Sequence, residues 1–247
     1  MKTPKAQYRF FLPAGCVTAD AVTFPDTVTR QLTHVLRVSA GASVLVLDGS
    51  GDELLVELTQ LVPLAVGRVV HRQPNDAEPT IHVALFQSML KGRKLETVWQ
   101  RCTELGVSSF TPVLSHRSVA ESLSASRQHR LAEIVREAAE QSGRGKLPAL
   151  DPAIHFAQAL SARAEAKLLF TARASPSPES LRAALGLSKP SSVAILIGPE
   201  GGFDESEVRE AVDSHWRAIS LGPRTLRSET AAIAAISVVQ HGLGQLD

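Results

Sequence analysis

Two glycine-bearing loops near the C-terminus hold the residue types best suited to chemistry. The first is Ile197-Gly198-Pro199-Glu200-Gly201-Gly202-Phe203. Its glycines allow positive φ and let the backbone approach a ligand closely. An apolar run, 194–197, precedes it, and Asp204 with Glu207 follows at the spacing of a capping box. One glycine would suffice for an ordinary strand-to-helix turn, so the glycine density favours a ligand loop. The second loop is Leu221-Gly222-Pro223-Arg224-Thr225-Leu226-Arg227-Ser228-Glu229-Thr230. Two arginines, three hydroxyls and a carboxylate crowd it. Ser228 is placed to cap the helix that follows. Arg227 and Glu229 either bridge each other or serve a site.

Neither loop has the pattern of a phosphate cradle: G-x-x-x-x-G-K-[ST] and G-x-G-x-x-G are both absent, and Glu200 would repel a phosphate. No nucleophile elbow appears. The eight histidines are scattered, and no His/Cys cluster has metal spacing, so no metal is expected. His34 and His116 read as surface or structural residues.

These loops need elements to hold them. Residues 8–72 read as a β-rich unit, with a hairpin of strands 43–47 and 54–58 around a turn at 48–52. A short helix is expected at 34–37, ending near Gly41. The polar stretch 72–79, with two prolines, is the best domain boundary. Beyond it, strands at 81–86, 110–114, 167–171, 192–198 and 217–221 alternate with helices at 95–105, 127–142, 180–185, 204–214 and 229–243. Gly106 closes the first of these helices. Leu131, Ile134, Val135 and Ala138 share one side of the second. Such alternation predicts an α/β domain with a parallel sheet covered on both faces. The two glycine loops would then lie side by side at the carboxyl ends of their strands, where ligands bind open α/β sheets.

Composition is consistent with this. The chain has 247 residues, 44% hydrophobic and only 4% aromatic, so its core is built from aliphatic side chains. No apolar run has the length of a membrane span. Residues 1–10 are polar and basic, without the apolar core of a secretory signal. Cys16 and Cys102 have no recognisable spacing, which points to a reducing compartment, the cytoplasm, rather than to disulfides or zinc. The net charge is +1. Between 91 and 146, ten Lys and Arg face six Glu, including the run Lys91-Gly92-Arg93-Lys94. That excess is either a basic face for nucleic acid or an ordinary solvated helix surface.

Taken together, Gly198-Pro199-Glu200-Gly201-Gly202-Phe203 and Leu221-Gly222-Pro223-Arg224-Thr225-Leu226-Arg227-Ser228-Glu229-Thr230-Ala231 resemble the paired signature of the RsmE-type 16S rRNA uridine-N3 methyltransferases of the SPOUT superfamily. Other segments are similar in the same order. They are Arg9-Phe10-Phe11, His34-Val35-Leu36-Arg37, Lys91-Gly92-Arg93-Lys94-Leu95-Glu96, Thr103-Glu104-Leu105-Gly106-Val107, Arg117-Ser118-Val119 and Glu137-Ala138-Ala139-Glu140-Gln141-Ser142-Gly143-Arg144. His116 stands where that family carries an acidic residue, and Thr225 where it carries an aliphatic one.

The resemblance implies a PUA-like β-barrel over 1–73 that binds RNA. It implies a SPOUT methyltransferase domain over 74–247 with a deep trefoil knot, an exception to the rule against threaded loops. S-adenosylmethionine would be the cofactor. Its contacts would come from Phe170, Thr171, Ile197, Gly198, Pro199, Glu200, Gly201 and Gly202, and from Leu221, Gly222, Arg224, Thr225 and Leu226. The methyl acceptor would be N3 of a uridine in 16S rRNA of the small ribosomal subunit. Arg227, with Arg9 as a second candidate, would stabilise the anion left when N3 loses its proton. Glu229 would orient Arg227 or act as a base. Arg9, Arg37, Lys91, Arg93, Lys94, Arg117 and Arg144 are the candidate RNA contacts. The family implies a homodimer with the final helix near the subunit contact. Two other readings stay open: a SPOUT transfer-RNA 2′-O-methyltransferase, and a non-catalytic RNA-binding assembly factor.

Overall fold

A computed structural model of the chain describes residues 8–118, 122–171, 181–185 and 190–246. Val119 of the sequence motif, Glu121 of the charged run, Ser180 of the expected helix and most of the basic N-terminus lie outside them. The chain divides into two compact units. One comprises Met1–Glu78 with Ala139–Leu147, the other Pro79–Ala138 with Pro148–Asp247.

The first unit is a five-stranded sheet. Its strands are β1 (Arg9–Phe11), β2 (Ala21–Thr23), β3 (Ser43–Leu47), β4 (Asp52–Gln60) and β5 (Val66–Pro74). Their order is β1-β3-β4-β5-β2. β3 and β4 form the expected hairpin, pairing Leu47 with Glu53. Asp48 tightens its turn by accepting the Ser50 N–H at 3.0 Å. Phe10, Phe24, Val44, Val46, Leu54 and Val56 fill the interior, with the two phenylalanine rings edge to face at 6.5 Å. β5 runs to Pro74, into the stretch read as a linker.

The helix expected at 34–37 sits earlier. α1 (Asp26–Arg30) continues into a π-turn at Gln31–Val35, and Arg37 takes φ +52°. Leu32, fully buried, pulls the helical turn toward the core, a tertiary preference that local propensity does not encode. The segment Ala139–Leu147 belongs to this unit through specific bonds. Glu140 accepts the Phe11 N–H at 2.9 Å, and Asn75 donates to the Gly143 carbonyl at 3.0 Å. A sequence divided at a single point cannot represent this arrangement.

The second unit is a parallel sheet. Its strands are β6 (His82–Ser88), β7 (Ser109–Leu114), β8 (Ala149–Leu150), β9 (Ile154–His155), β10 (Ala166–Phe170), β11 (Ser192–Ile197) and β12 (Arg217–Ile219). The order is β12-β10-β11-β6-β7-β8, with β9 also on β7. Helices α2 (Lys94–Glu104), α3 (Ala125–Ser142), α5 (Leu181–Leu185) and α7 (Ser228–Gly242) contribute to one face; α4 (Phe156–Ala159) and α6 (Glu205–Asp213) cover the other.

Alternation along the buried strands divides the core. Val193, Ile195 and Ile197 meet Val98, Trp99, Ala235 and Ile236, whereas Ala194 and Leu196 meet Phe203, Val208 and Trp216. Trp99 stacks on Phe110 at 4.7 Å and is 2% exposed. Among the described residues, no helix is long and apolar enough to cross a membrane.

Gly106 ends α2 as the sequence predicts. It takes φ +85°, and the Val107 N–H reaches back to the Cys102 carbonyl at 3.0 Å. A Cβ at this position would lie 2.5 Å from Cγ of Pro79. Gly106→Ala is therefore expected to lower stability by about 1–3 kcal/mol through backbone strain alone. An unchanged urea-denaturation midpoint would refute that.

Candidate functional site

Parallel strands deliver their carboxyl ends to one edge, and three of those ends are in register. Phe170, the last residue of β10, pairs with Ile197 of β11 on one side and Ile219 of β12 on the other. The Thr171 N–H then bonds the Ile219 carbonyl at 3.0 Å. The loop after β11, the loop after β12 and the Phe170-Thr171 step are thus brought together at one edge. Ile197 also pairs with Gln87 of β6. Gly222 takes φ +99° as the second loop leaves the sheet, and its N–H and carbonyl both bond the Ser220 hydroxyl at 3.2 Å.

The loops are joined by one buried knot of hydrogen bonds. The Ser228 hydroxyl donates to the Gly198 carbonyl. Gln87, fully buried, donates from Nε2 to the Ser228 hydroxyl at 3.1 Å, to the Gly198 carbonyl at 3.4 Å and to the Ser88 carbonyl at 3.0 Å. Ser228 was expected to cap α7. Instead Arg227 occupies the N-cap without a side-chain bond, and Ser228 is already helical. A buried carbonyl on the neighbouring loop takes the hydroxyl because leaving it unpaired costs more than leaving a solvated helix end uncapped. Gly198 is buried, and a Cβ there would sit 3.2 Å from the Phe203 ring and N–H nitrogen. Among the described residues, Oε1 of Gln87 and Oε2 of Glu229 are buried without a hydrogen-bond partner.

Charges around the loops are arranged unevenly. Lys94, the first residue of α2, donates to Glu200 at 2.9 Å and lies 4.0 Å from Glu229 Oε2. The Lys91 N–H also reaches Glu200, at 3.2 Å. Partial burial alone would raise the Glu200 pKa, but the Lys94 ammonium and these N–H groups outweigh it and hold the pKa below the ordinary value. The bridge between Arg227 and Glu229 that the sequence left open is not formed. Among the described residues, neither Arg224 nor Arg227 is in an ion pair, and both are exposed beside exposed Thr225 and half-buried Leu226 and Leu221. Pro199 is buried, and Lys91 and Arg93 are exposed.

The turn after β7 grips the first loop from outside. Arg117 Nη1 donates to the Gly201 carbonyl at 2.8 Å. His116 Nδ1 meets Asp204 Oδ2 at 2.6 Å, and its N–H donates to Glu207 Oε1 at 2.8 Å. Asp204 and Glu207 form the expected capping box of α6. His116, Asp204 and Glu207 hold ligand-type atoms within 4.8 Å of one another. Every carboxylate oxygen among them already accepts a hydrogen bond, from His116, Ser206 or a capping N–H, so the cluster is a cap.

In the first unit, Arg9 pairs with Glu53 at 3.6 Å, and its guanidinium lies against Gly143. Arg37 is exposed. Arg144 is a correction: its side chain is 4% exposed and bonds Glu78 through Nε at 3.2 Å and Nη2 at 2.8 Å. A guanidinium buried in this pair is not available to a phosphate. Sequence reasoning missed Gln87 and Ser115. The one signal was a polar Gln-Ser step closing the apolar run of β6.

The fold and edge define an α/β protein whose parallel strands bring two glycine-bearing loops and the Phe170-Thr171 step to one edge. An RNA methyltransferase domain model matches residues 77–240. The chain is 31% identical to ribosomal RNA small subunit methyltransferase E of Bacillus subtilis over 233 residues, covering 90% of this chain and 91% of that protein. It is similar to the crystal structure of a ribosomal RNA small subunit methyltransferase E from Neisseria gonorrhoeae bound to S-adenosyl methionine. There the identity is 32% and the TM-score 0.86, with 95% of this chain and 97% of that chain covered. A putative methyltransferase from Legionella pneumophila in complex with the same cofactor matches with 28% identity and TM-score 0.85, over 95% of this chain and 97% of that chain. The chain belongs to the ribosomal RNA small subunit methyltransferase E family of RNA methyltransferases.

Removing the Ser228 hydroxyl leaves the Gly198 carbonyl with only the longer 3.4 Å bond from Gln87 and takes one acceptor from Gln87 Nε2. Ser228→Ala should therefore lower unfolding free energy by about 1–3 kcal/mol. A midpoint shift within error would show that the knot contributes nothing.

Proposed function

We propose that this chain transfers a methyl group from S-adenosylmethionine to N3 of a uridine in 16S rRNA of the small ribosomal subunit. The observation that carries the reading is the register of Phe170, Ile197 and Ile219, which gathers three loop origins at one edge. The residues there suit this cofactor. Gly202 and Gly222 take φ +67° and +99° with no heavy atom of the described residues within 4 Å of where a Cβ would be, so a ligand can meet bare backbone, and exposed arginines flank the second loop. Phe170, Thr171, Ile197 to Gly202, Leu221, Gly222 and Arg224 to Leu226 would hold it. When bound, the cofactor supplies an electrophilic methyl on a sulfonium.

The protein's own part is alignment and charge. Uridine N3 is a weak nucleophile until it loses its proton, and the anion then spreads to O2 and O4. Arg227, exposed and outside any ion pair among the described residues, is the group to stabilise that anion. Arg9 is a second candidate, already paired with Glu53. Glu229 keeps a buried oxygen without a hydrogen bond and is the candidate proton acceptor or orienting group. Arg37, Lys91, Arg93, Lys94 and Arg117 would meet the RNA backbone around an unpaired base.

Further features follow from the family. The curled five-stranded sheet would serve as a PUA-like RNA-binding barrel. The return of the chain past β10 to form β12, after β11 has paired with β6, supports the deep trefoil knot. In α7, Ala232 and Ala235 are buried and Ala231 packs against the same core, whereas half-buried Ala234 and exposed Val238 suit a homodimer contact. A ribosomal RNA substrate implies the cytoplasm.

Calorimetry should detect saturable association of the pure protein with S-adenosylmethionine or its demethylated product; no heat with either would overturn the reading. Arg227→Ala should slow methyl transfer to small-subunit RNA by roughly 100- to 1,000-fold while leaving cofactor affinity nearly unchanged. Wild-type turnover in that variant would remove Arg227 from the mechanism.

A further inference from the structure

The glycine loop is held by the turn Ser115-His116-Arg117-Ser118 as well as by its own strand. Ser115 and Ser118 fix this turn. The Ser115 hydroxyl donates to Ser88 at 3.1 Å and lies 2.9 Å from the Ser118 hydroxyl, which accepts the Ser115 N–H at 3.1 Å. From that base Arg117 reaches the Gly201 carbonyl, and its Cβ and Cδ lie 3.3 and 3.2 Å from where a Gly201 Cβ would be. One residue earlier, His116 reaches Asp204, which follows the loop directly. Both ends of the Gly201-to-Asp204 segment are therefore attached to two adjacent side chains of one fixed turn.

We propose that His116 and Arg117 form a proton-sensitive clamp on the glycine loop, so that protonating His116 tightens binding of the methyl donor. His116 and Arg117 are positioning residues here, acting through Gly201 and Asp204. The inference rests on the cofactor reading above. Groups facing His116 are Asp204 at the cap and Glu207 and Glu210 of α6; Arg117, next in its turn, is directed to the Gly201 carbonyl. The hydrogen bond to Asp204, then the charge of Glu207, raise the imidazole pKa above its ordinary value. The Glu207 N–H, then His116 and Ser206, hold Asp204 well below its own, so Asp204 stays ionised throughout the titration of His116. The ring is 67% exposed and free to exchange its proton. The charged clamp is fully present below the ordinary histidine pKa, and it is lost as pH rises through the raised value.

Calorimetric titration with S-adenosylmethionine from about pH 5.5 to about pH 8.5 tests this. Wild-type affinity should fall roughly three- to tenfold as the imidazole loses its proton, the order expected when a charge-assisted bond becomes a neutral one. His116→Gln keeps a donor but does not titrate in this range. It should show only the ligand's own ionisation, with the wild-type step gone. Arg117→Met should weaken binding at every pH, while its melting temperature stays at the wild-type value.

Identical pH profiles in wild type and His116→Gln would overturn the clamp. Absence of binding at every pH would instead sink the cofactor reading. The clamp then stands or falls on NMR of the ligand-free protein, in which the amides of Gly201, Gly202 and Phe203 should titrate with the His116 ring. Amides that ignore that midpoint would overturn it.

Discussion

The loop edge depends on how one buried carbonyl, that of Gly198, is satisfied. A strand buried on both faces delivers this group to a place without water, where an unpaired acceptor is expensive. Ser228 and Gln87 supply the missing donors, and they come from α7 and β6. One local requirement therefore ties three elements together. The start of α7 cannot drift without taking the Ser228 hydroxyl from the Gly198 carbonyl, the first residue after β11, and so the second loop is anchored to the first. Gly198 is also closely packed on its other side, where a Cβ would sit 3.2 Å from the Phe203 ring.

Charge at this edge follows a second logic. Lys94 occupies the space between Glu200 and Glu229, leaving Arg224 and Arg227 outside the ion pairs of the described residues. A cation held between two carboxylates has part of its charge already balanced. Exposed guanidiniums beside it remain available to a developing negative charge. The reading of Glu200 as hostile to phosphate is consistent with this layout, since its carboxylate is kept ionised.

The first unit shows the same division between spent and available charge. Glu53 receives Arg9, Gln73 and Asn75, and Glu78 receives Arg144 with the N–H groups of Gly145 and Lys146. The Glu78 pKa lies below its ordinary value: burial opposes this, and the Arg144 bond and charge outweigh it. A basic residue counted in a sequence window can thus be part of a buried pair. Charge counting alone cannot separate Arg144 from Arg93.

The sequence by itself determined the alternation of strands and helices, the hairpin at 43–58, the glycine close of α2 and the capping box of α6. Each is a short-range matter of periodicity, turn chemistry or i-to-i+3 hydrogen bonding. It also singled out both glycine-bearing loops, whose clustered glycines and arginines stand out from ordinary turns. Only the tertiary structure decided the partner of Ser228, the burial of Arg144, the π-turn at Gln31–Val35 and the roles of Gln87 and His116. All of these depend on contacts between residues distant in the chain or on a buried environment. Local pattern is silent about such contacts, because which polar atom must be satisfied is known only once packing has excluded water from it.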